Sequence, residues 1–180
     1  MWEEIAGIGR KLVLYGLTHA HYGNISVRTD GGLLITCSGS MLDEIDEKMV
    51  VLRPLDDEDR FDSIASSETI VHRRIYRQTS AQAVIHVHSP YAVAMSMISG
   101  EDYLVPRDAE CQQFLQRIPL VEGGTGSPEI AANMAGALSG YKAAIVRGHG
   151  TFAAGRNLRE AYINACTVEH ACQVHYLATR

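Results

Sequence analysis

No stretch of this sequence approaches the roughly 20 apolar residues that a membrane-spanning helix needs. Its N-terminus lacks the basic flank, apolar core and small-residue cleavage site of a secretory signal peptide. Cysteine is scarce: Cys37, Cys111, Cys166 and Cys172 stand far apart and form no CxxC pair. Such usage fits a reducing compartment without disulfides. Positive charge is short as well. The sixteen Lys and Arg residues are scattered, and the net charge is −5, which argues against nucleic acid or an anionic membrane surface as the main partner. No segment has the spacing of a Walker loop or a dinucleotide fingerprint, so no nucleotide cofactor is expected. Internal repeats, low-complexity tracts and linkers are absent too. With 46% apolar and 21% charged residues over 180 positions, the expectation is one globular domain over 1–180, located in the cytoplasm.

Periodicity then sketches the elements. Residues 3–19 carry apolar side chains at 5, 8, 12 and 15, the spacing of an amphipathic helix, interrupted by three glycines. His19 and His21 fall near its end, where a favourable helix-dipole interaction accounts for them. The alternating run from Gly23 meets Thr-Asp-Gly-Gly at 29–32, a hairpin signal into Leu33–Thr36. Met49–Leu52 reads as a strand closed by Pro54 and the acidic run 56–59. Ser66 or Ser67 is placed to cap a helix running to about Gln78. A strand-like run at 83–90 ends on Ser89-Pro90, which also opens a helix running to Gly100, and a short strand covers 118–121. An alanine-rich helix starts at Ser127-Pro128, two strands at 143–146 and 150–155 form a hairpin, and a last helix begins near Leu158. Tight turns join several of the strands. The pattern predicts an α/β fold whose mixed, mostly antiparallel sheet is covered by helices on its faces.

The most informative residues are histidines. His86 and His88 are two apart on a predicted strand, so they leave the same face roughly 6.6 Å apart. His149, between Gly148 and Gly150, supplies a third imidazole. Three neutral histidines leave one coordination position open, as in catalytic zinc sites. The competing reading makes all three ordinary strand and turn residues. His170 and His175 are spaced poorly for joint ligation, and His72, four residues after Glu68 on a helix, orients or packs rather than ligates.

Ser66-Ser67-Glu68 is the second constellation. Glu68 is either a dipole-stabilising residue at a helix start or a base for a proton acidified by a neighbouring metal. The two hydroxyls and nearby N–H groups make an anion pocket. Gly23-Asn24 and Ser38-Gly39-Ser40 are either plain turns or turns whose N–H groups cradle a phosphate.

Taken together, Gly23-Asn24-Ile25-Ser26, Thr36-Cys37-Ser38-Gly39, Ser66-Ser67-Glu68, His86-Val87-His88 and His149-Gly150 resemble the class II aldolase/adducin family, in the family's order. The similarity is strongest to its L-fuculose-1-phosphate aldolase branch. It implies a three-layer α/β/α fold and a homotetramer with active sites between subunits. It also implies one Zn2+ on His86, His88 and His149, and an acid/base role for Glu68. The phosphate of a sugar phosphate is then held by Asn24, Ser38, Gly39, Ser66 and Ser67, with Gly23 supporting the turn.

Two departures from the pattern stand out. Alignment on Val105-Pro106 puts Glu110 at or near a position where the aldolases carry a tyrosine. Glu110 is then either a second acid/base, as in dehydratase members, or a surface helix residue. The active-site tyrosine on the C-terminal tail of longer members has no counterpart before Arg180.

The implied reaction is reversible cleavage of a ketose 1-phosphate to dihydroxyacetone phosphate and a small aldehyde such as lactaldehyde. No lysine sits in any motif, so no Schiff base is expected. Pentulose-phosphate 4-epimerase, methylthioribulose-1-phosphate dehydratase and a non-catalytic adducin-like scaffold are the alternatives on the same fold. Retention of Glu68 speaks against the dehydratase, Glu110 for it.

Overall fold

The computed structural model describes residues 1–57 and 62–179; the second half of the acidic run 56–59 lies outside them. Eight strands form one sheet: β1 (Asn24–Thr29), β2 (Gly32–Thr36), β3 (Val50–Arg53), β4 (Ala83–Val87), β5 (Tyr103–Leu104), β6 (Ile118–Val121), β7 (Ala143–Val146) and β8 (Gly150–Gly155). Six helices accompany them: α1 (Trp2–Leu14), α2 (Thr69–Gln78), α3 (Pro90–Ile98), α4 (Ala109–Leu115), α5 (Pro128–Leu138) and α6 (Leu158–Ala178). The strand order is β3-β2-β1-β4-β8-β7-β6-β5. Among the described residues, β6 and β7 pair in parallel and the other six pairings are antiparallel.

The period-2 alternation of the strands sorts the core into two clusters. On β4, Ala83, Ile85 and Val87 join residues of α1, α3, α4 and α6. Val84, with Leu33, Ile35 and Phe152 of neighbouring strands, joins residues of α2 and α5. Helices thus cover both faces, giving the three-layer α/β/α arrangement. Fully buried residues such as Ile85 and Phe152 each contribute roughly 1.5–3 kcal/mol of hydrophobic stabilisation. His86 has the parity of Val84, which turns its ring toward the α2 side. There it stacks on Phe152, with ring centroids 4.0 Å apart.

Two helix boundaries differ from the expectation. Helix α1 stops at Leu14 rather than near residue 19. Gly16, at φ +71°, lets its own N–H reach the Val13 carbonyl while Leu17 N–H reaches that of Leu12. These are the two bonds of a Schellman cap, and the apolar pair Leu12 and Leu17 is buried beside it. His19 and His21 therefore sit beyond the helix, and its dipole does not explain them. Helix α2 begins at Thr69, with Glu68 at the N-cap position and no side-chain capping bond. The serines shape the approach instead: Ser66 Oγ accepts from Glu68 N–H at 3.3 Å. Strand β5 and helix α4 carry too few residues for a periodic signal, so the sequence delimits neither.

Candidate metal centre and active site

The histidines converge because three chain segments end at one edge of the β4–β8 pair. His86 is the penultimate residue of β4 and His88 follows the strand directly. His149 comes from the three-residue loop between β7 and β8, whose ends pair as Val146 with Gly150. One nitrogen from each of the three rings lies within 4.8 Å of the others. His86 Nε2 and His88 Nε2 are 3.0 Å apart.

Electrostatics and hydrogen bonds set the state of these rings. His86 Nδ1–H donates to the Thr151 carbonyl at 3.1 Å, so Nε2 keeps its lone pair for a ligand. Burial, reinforced by the other histidines, holds His86 well below the usual imidazole pKa. Burial and His149 bring His88 down to about 4, and burial lowers His149. All three rings are neutral at physiological pH, the form that binds metals.

Glu68 completes the centre. Its Oε1 accepts from Gly126 N–H at 3.1 Å and stands 3.9 Å from His149 Nε2. Burial pushes its pKa up to about 7, against the opposing effect of the Gly126 N–H. Glu68 Oε2 and His149 Nδ1 are buried without a hydrogen-bond partner among the described residues. Leaving such atoms unmatched costs about 1–3 kcal/mol each. A divalent cation beside neutral imidazoles and a carboxylate suits this donor set, so the residues fit a metal of the zinc type.

Around the rings lies a cavity of about 180 Å³, and Gly23, Asn24, Ser38, Gly39, Ser66, Ser67, Glu68, His86, His88 and His149 all line it. Gly23 has φ +88°, and a Cβ there would stand 2.5 Å from the His86 carbonyl oxygen. Only glycine lets this turn cross β4 at such range. A single bridge between Cys37 and Ala65 ties the 37–40 turn to the serine loop. The amides fit the cradle reading only in part. Ser38 N–H donates to Ile64 O and Ser66 N–H to Thr36 O. The serine hydroxyls, rather than those two amides, are left for a ligand, Ser66 through its O–H because its Oγ already accepts from Glu68 N–H.

Glu110 is not brought in. It is exposed in the first turn of α4 and does not line the cavity of its own chain. Conversely, Tyr22 and Thr125 line the cavity unforeseen. The Tyr22 ring stacks on that of His88, with centroids 5.3 Å apart and planes 14° from parallel. Thr125 and Gly126 belong to the Gly-Gly-Thr-Gly run, whose glycines marked a turn without marking its target. His21, beyond α1, also reaches the cavity. His72 stays outside the ring cluster, as its spacing suggested. His170 instead approaches Asp108 and Cys111. There Asp108 Oδ1 already caps α4, and burial, aided by Asp108, pushes the Cys111 thiol up to about 12.

The fold is an α/β sandwich that gathers three imidazoles and a carboxylate around one small cavity, a donor set able to hold a metal ion. Residues 3–176 match the model of the Class II Aldolase and Adducin N-terminal domain, and the chain belongs to that family. The L-fuculose-1-phosphate aldolase of Thermus thermophilus superimposes with a TM-score of 0.92 at 35% identity, over 99% of this chain and 93% of that one. A probable bifunctional methylthioribose-1-phosphate isomerase/methylthioribulose-1-phosphate dehydratase of Nocardia farcinica is 30% identical over 199 aligned residues. That alignment takes in 95% of this chain but 34% of the Nocardia protein, so the chain spans about a third of its length. A 3-oxo-tetronate 4-phosphate decarboxylase of Pectobacterium atrosepticum is 28% identical, over 97% of this chain and 83% of that protein.

Proposed function

We propose that this protein is a zinc-dependent aldolase working as a cytoplasmic homotetramer. It reversibly cleaves a ketose 1-phosphate, L-fuculose 1-phosphate or a close analogue, to dihydroxyacetone phosphate and a small aldehyde such as lactaldehyde. One observation carries this reading: the anion-holding residues, the three imidazoles and Glu68 all line the same cavity of about 180 Å³. That is smaller than the roughly 300–1,000 Å³ typical of drug-sized ligands and suits a short sugar phosphate. The likeness to the Thermus aldolase over 99% of the chain supports the same choice. All four cysteines are free thiols, in keeping with a reducing compartment.

In this reading the Asn24 amide, the Ser38, Ser66 and Ser67 hydroxyls and Gly39 hold the phosphate, with Gly23 supporting the turn. Anchoring that end fixes C2, C3 and C4 over the histidines. A divalent cation on His86, His88 and His149 supplies Lewis-acid stabilisation of the negative charge that develops on the substrate oxygens. Cleavage requires the C4 hydroxyl to lose its proton while the C3–C4 bonding pair shifts toward C2. Glu68 then returns a proton to C3, releasing dihydroxyacetone phosphate. Its Oε1 is pinned by Gly126, which leaves Oε2 to carry the proton. A second acid/base group is needed at the C4 oxygen; Glu110, exposed on α4 and outside the cavity of its own chain, serves there in this reading only if a neighbouring subunit presents it.

The Nocardia and Pectobacterium relatives bear the names of a dehydratase and a decarboxylase. Both reactions also build negative charge next to a carbonyl, so the second reading is elimination or decarboxylation at the same centre. Incubating the metal-loaded protein with a panel of ketose and ketotetronate phosphates separates the two. Dihydroxyacetone phosphate plus an aldehyde is the expected product pair, abolished by chelation and restored by zinc. Loss of water or CO2 with no aldehyde would replace the aldolase assignment. Intact fold with neither metal nor turnover would point to the adducin-like scaffold.

A further inference from the structure

Beneath the cavity, a buried run of polar groups leads away from Asn24. Its Oδ1 lies 2.6 Å from His72 Nε2. His72 Nδ1 lies 2.6 Å from Ser26 Oγ, and Ser26 Oγ lies 2.7 Å from the Tyr76 hydroxyl. Asn24 is 5% exposed, Ser26 and His72 are 0%, and Tyr76 is 1%. Asn24 and Ser26 alternate on β1, while His72 and Tyr76 are one turn apart on α2, so two regular elements face each other through this row.

The direction of every bond follows from what each atom is able to do. An amide oxygen only accepts, so His72 Nε2 carries the proton. Burial lowers the His72 pKa to about 3, the ring is neutral, and Nδ1 is therefore an acceptor. Ser26 O–H donates to it. Ser26 Oγ in turn accepts from Tyr76 O–H, and the Val84 backbone N–H faces the tyrosine oxygen.

The consequence falls on Asn24. With its oxygen held by α2, its NH2 group is the end left for the cavity that Asn24 lines. A free asparagine amide can turn over and offer an oxygen, which an anion repels. We propose that His72 is a positioning residue for anion binding: it holds the Asn24 side chain with the donor end toward the substrate phosphate. This rests on the phosphate reading of the cavity given above. His72 itself does not line that cavity, so it acts only through Asn24.

The test is calorimetric binding of inorganic phosphate to the zinc-loaded protein as wild type, Asn24→Ala, His72→Leu and the double variant. Each single change is expected to weaken phosphate about tenfold, and the double change no further than Asn24→Ala alone. Additive losses, or a folded His72→Leu protein with wild-type affinity, would overturn the proposal. Unchanged affinity in Asn24→Ala is a different failure: it removes Asn24 from the phosphate site and takes this inference with it. Should His72→Leu not fold, Ser26→Ala serves in its place, because His72 then loses the donor that fixes its tautomer. Its effect should be smaller and should vanish in the Asn24→Ala background. Persistence of the effect there would count against positioning.

Discussion

Glu68 and His149 face each other in the cavity, Oε1 standing 3.9 Å from Nε2. A carboxylate that merely stabilised α2 would turn toward the helix's own N–H groups. Glu68 makes no such capping bond and takes its hydrogen bond from Gly126, across the chain.

Glu68→Gln keeps the volume and the Gly126 bond but cannot exchange a proton. Turnover should fall about 10²–10⁴-fold while zinc content, measured by atomic absorption, stays at wild-type level. Undiminished turnover would remove the acid/base role.

Ser67→Ala deletes one hydroxyl from the anion site without touching the histidines. KM for the phosphorylated ketose should rise about tenfold, with the dephosphorylated analogue unaffected. Equal losses on both substrates would contradict a phosphate contact.

Glu110 tests the shared-site assembly. Glu68→Gln and Glu110→Gln chains should each be nearly inactive alone. Co-expressed as randomly mixed tetramers, they should regain activity in about a quarter of the sites, because one chain supplies Glu68 and its neighbour Glu110. No regain in verified mixed tetramers would confine the chemistry to single chains or exclude Glu110.

Asp62 anchors the approach to the serine loop. It pairs with Arg53, Nη2 donating at 3.1 Å, and accepts from Ile64 N–H and Ala65 N–H. Arg53 above all holds its carboxyl well below the usual carboxylate range. A depressed folded pKa contributes stability that is complete above the unfolded value near 3.8 and disappears as pH falls through the folded one. Asp62→Asn should thus cost about 1 kcal/mol at pH 7, a figure kept small by solvent screening of this partly exposed pair. In denaturant melts that gap should narrow progressively below about pH 4; a gap constant with pH would show that charge plays no part.

Sequence periodicity captured whatever depends on local repetition. His86 and His88 betray a shared face by standing two apart, and Thr-Asp-Gly-Gly announces the β1–β2 hairpin. The glycines around His149 likewise mark the β7–β8 loop. Long-range packing left weaker traces. Nothing local tells that the turn at 123–126 delivers an N–H to Glu68, or that Tyr22 lies flat on His88. The end of α1 was a matter of two competing local signals. Apolar spacing argued for continuing, and Gly16 in a left-handed conformation decided otherwise. Helix α4 spans only seven residues, about two turns, too short for periodicity to register.

The anchor of His86 is a main-chain oxygen, that of Thr151 on the adjoining strand. No exchange of amino acids at position 151, proline included, removes that oxygen. Retuning this arm of the centre would therefore require shifting strand β8 bodily, a far rarer event than altering a side chain.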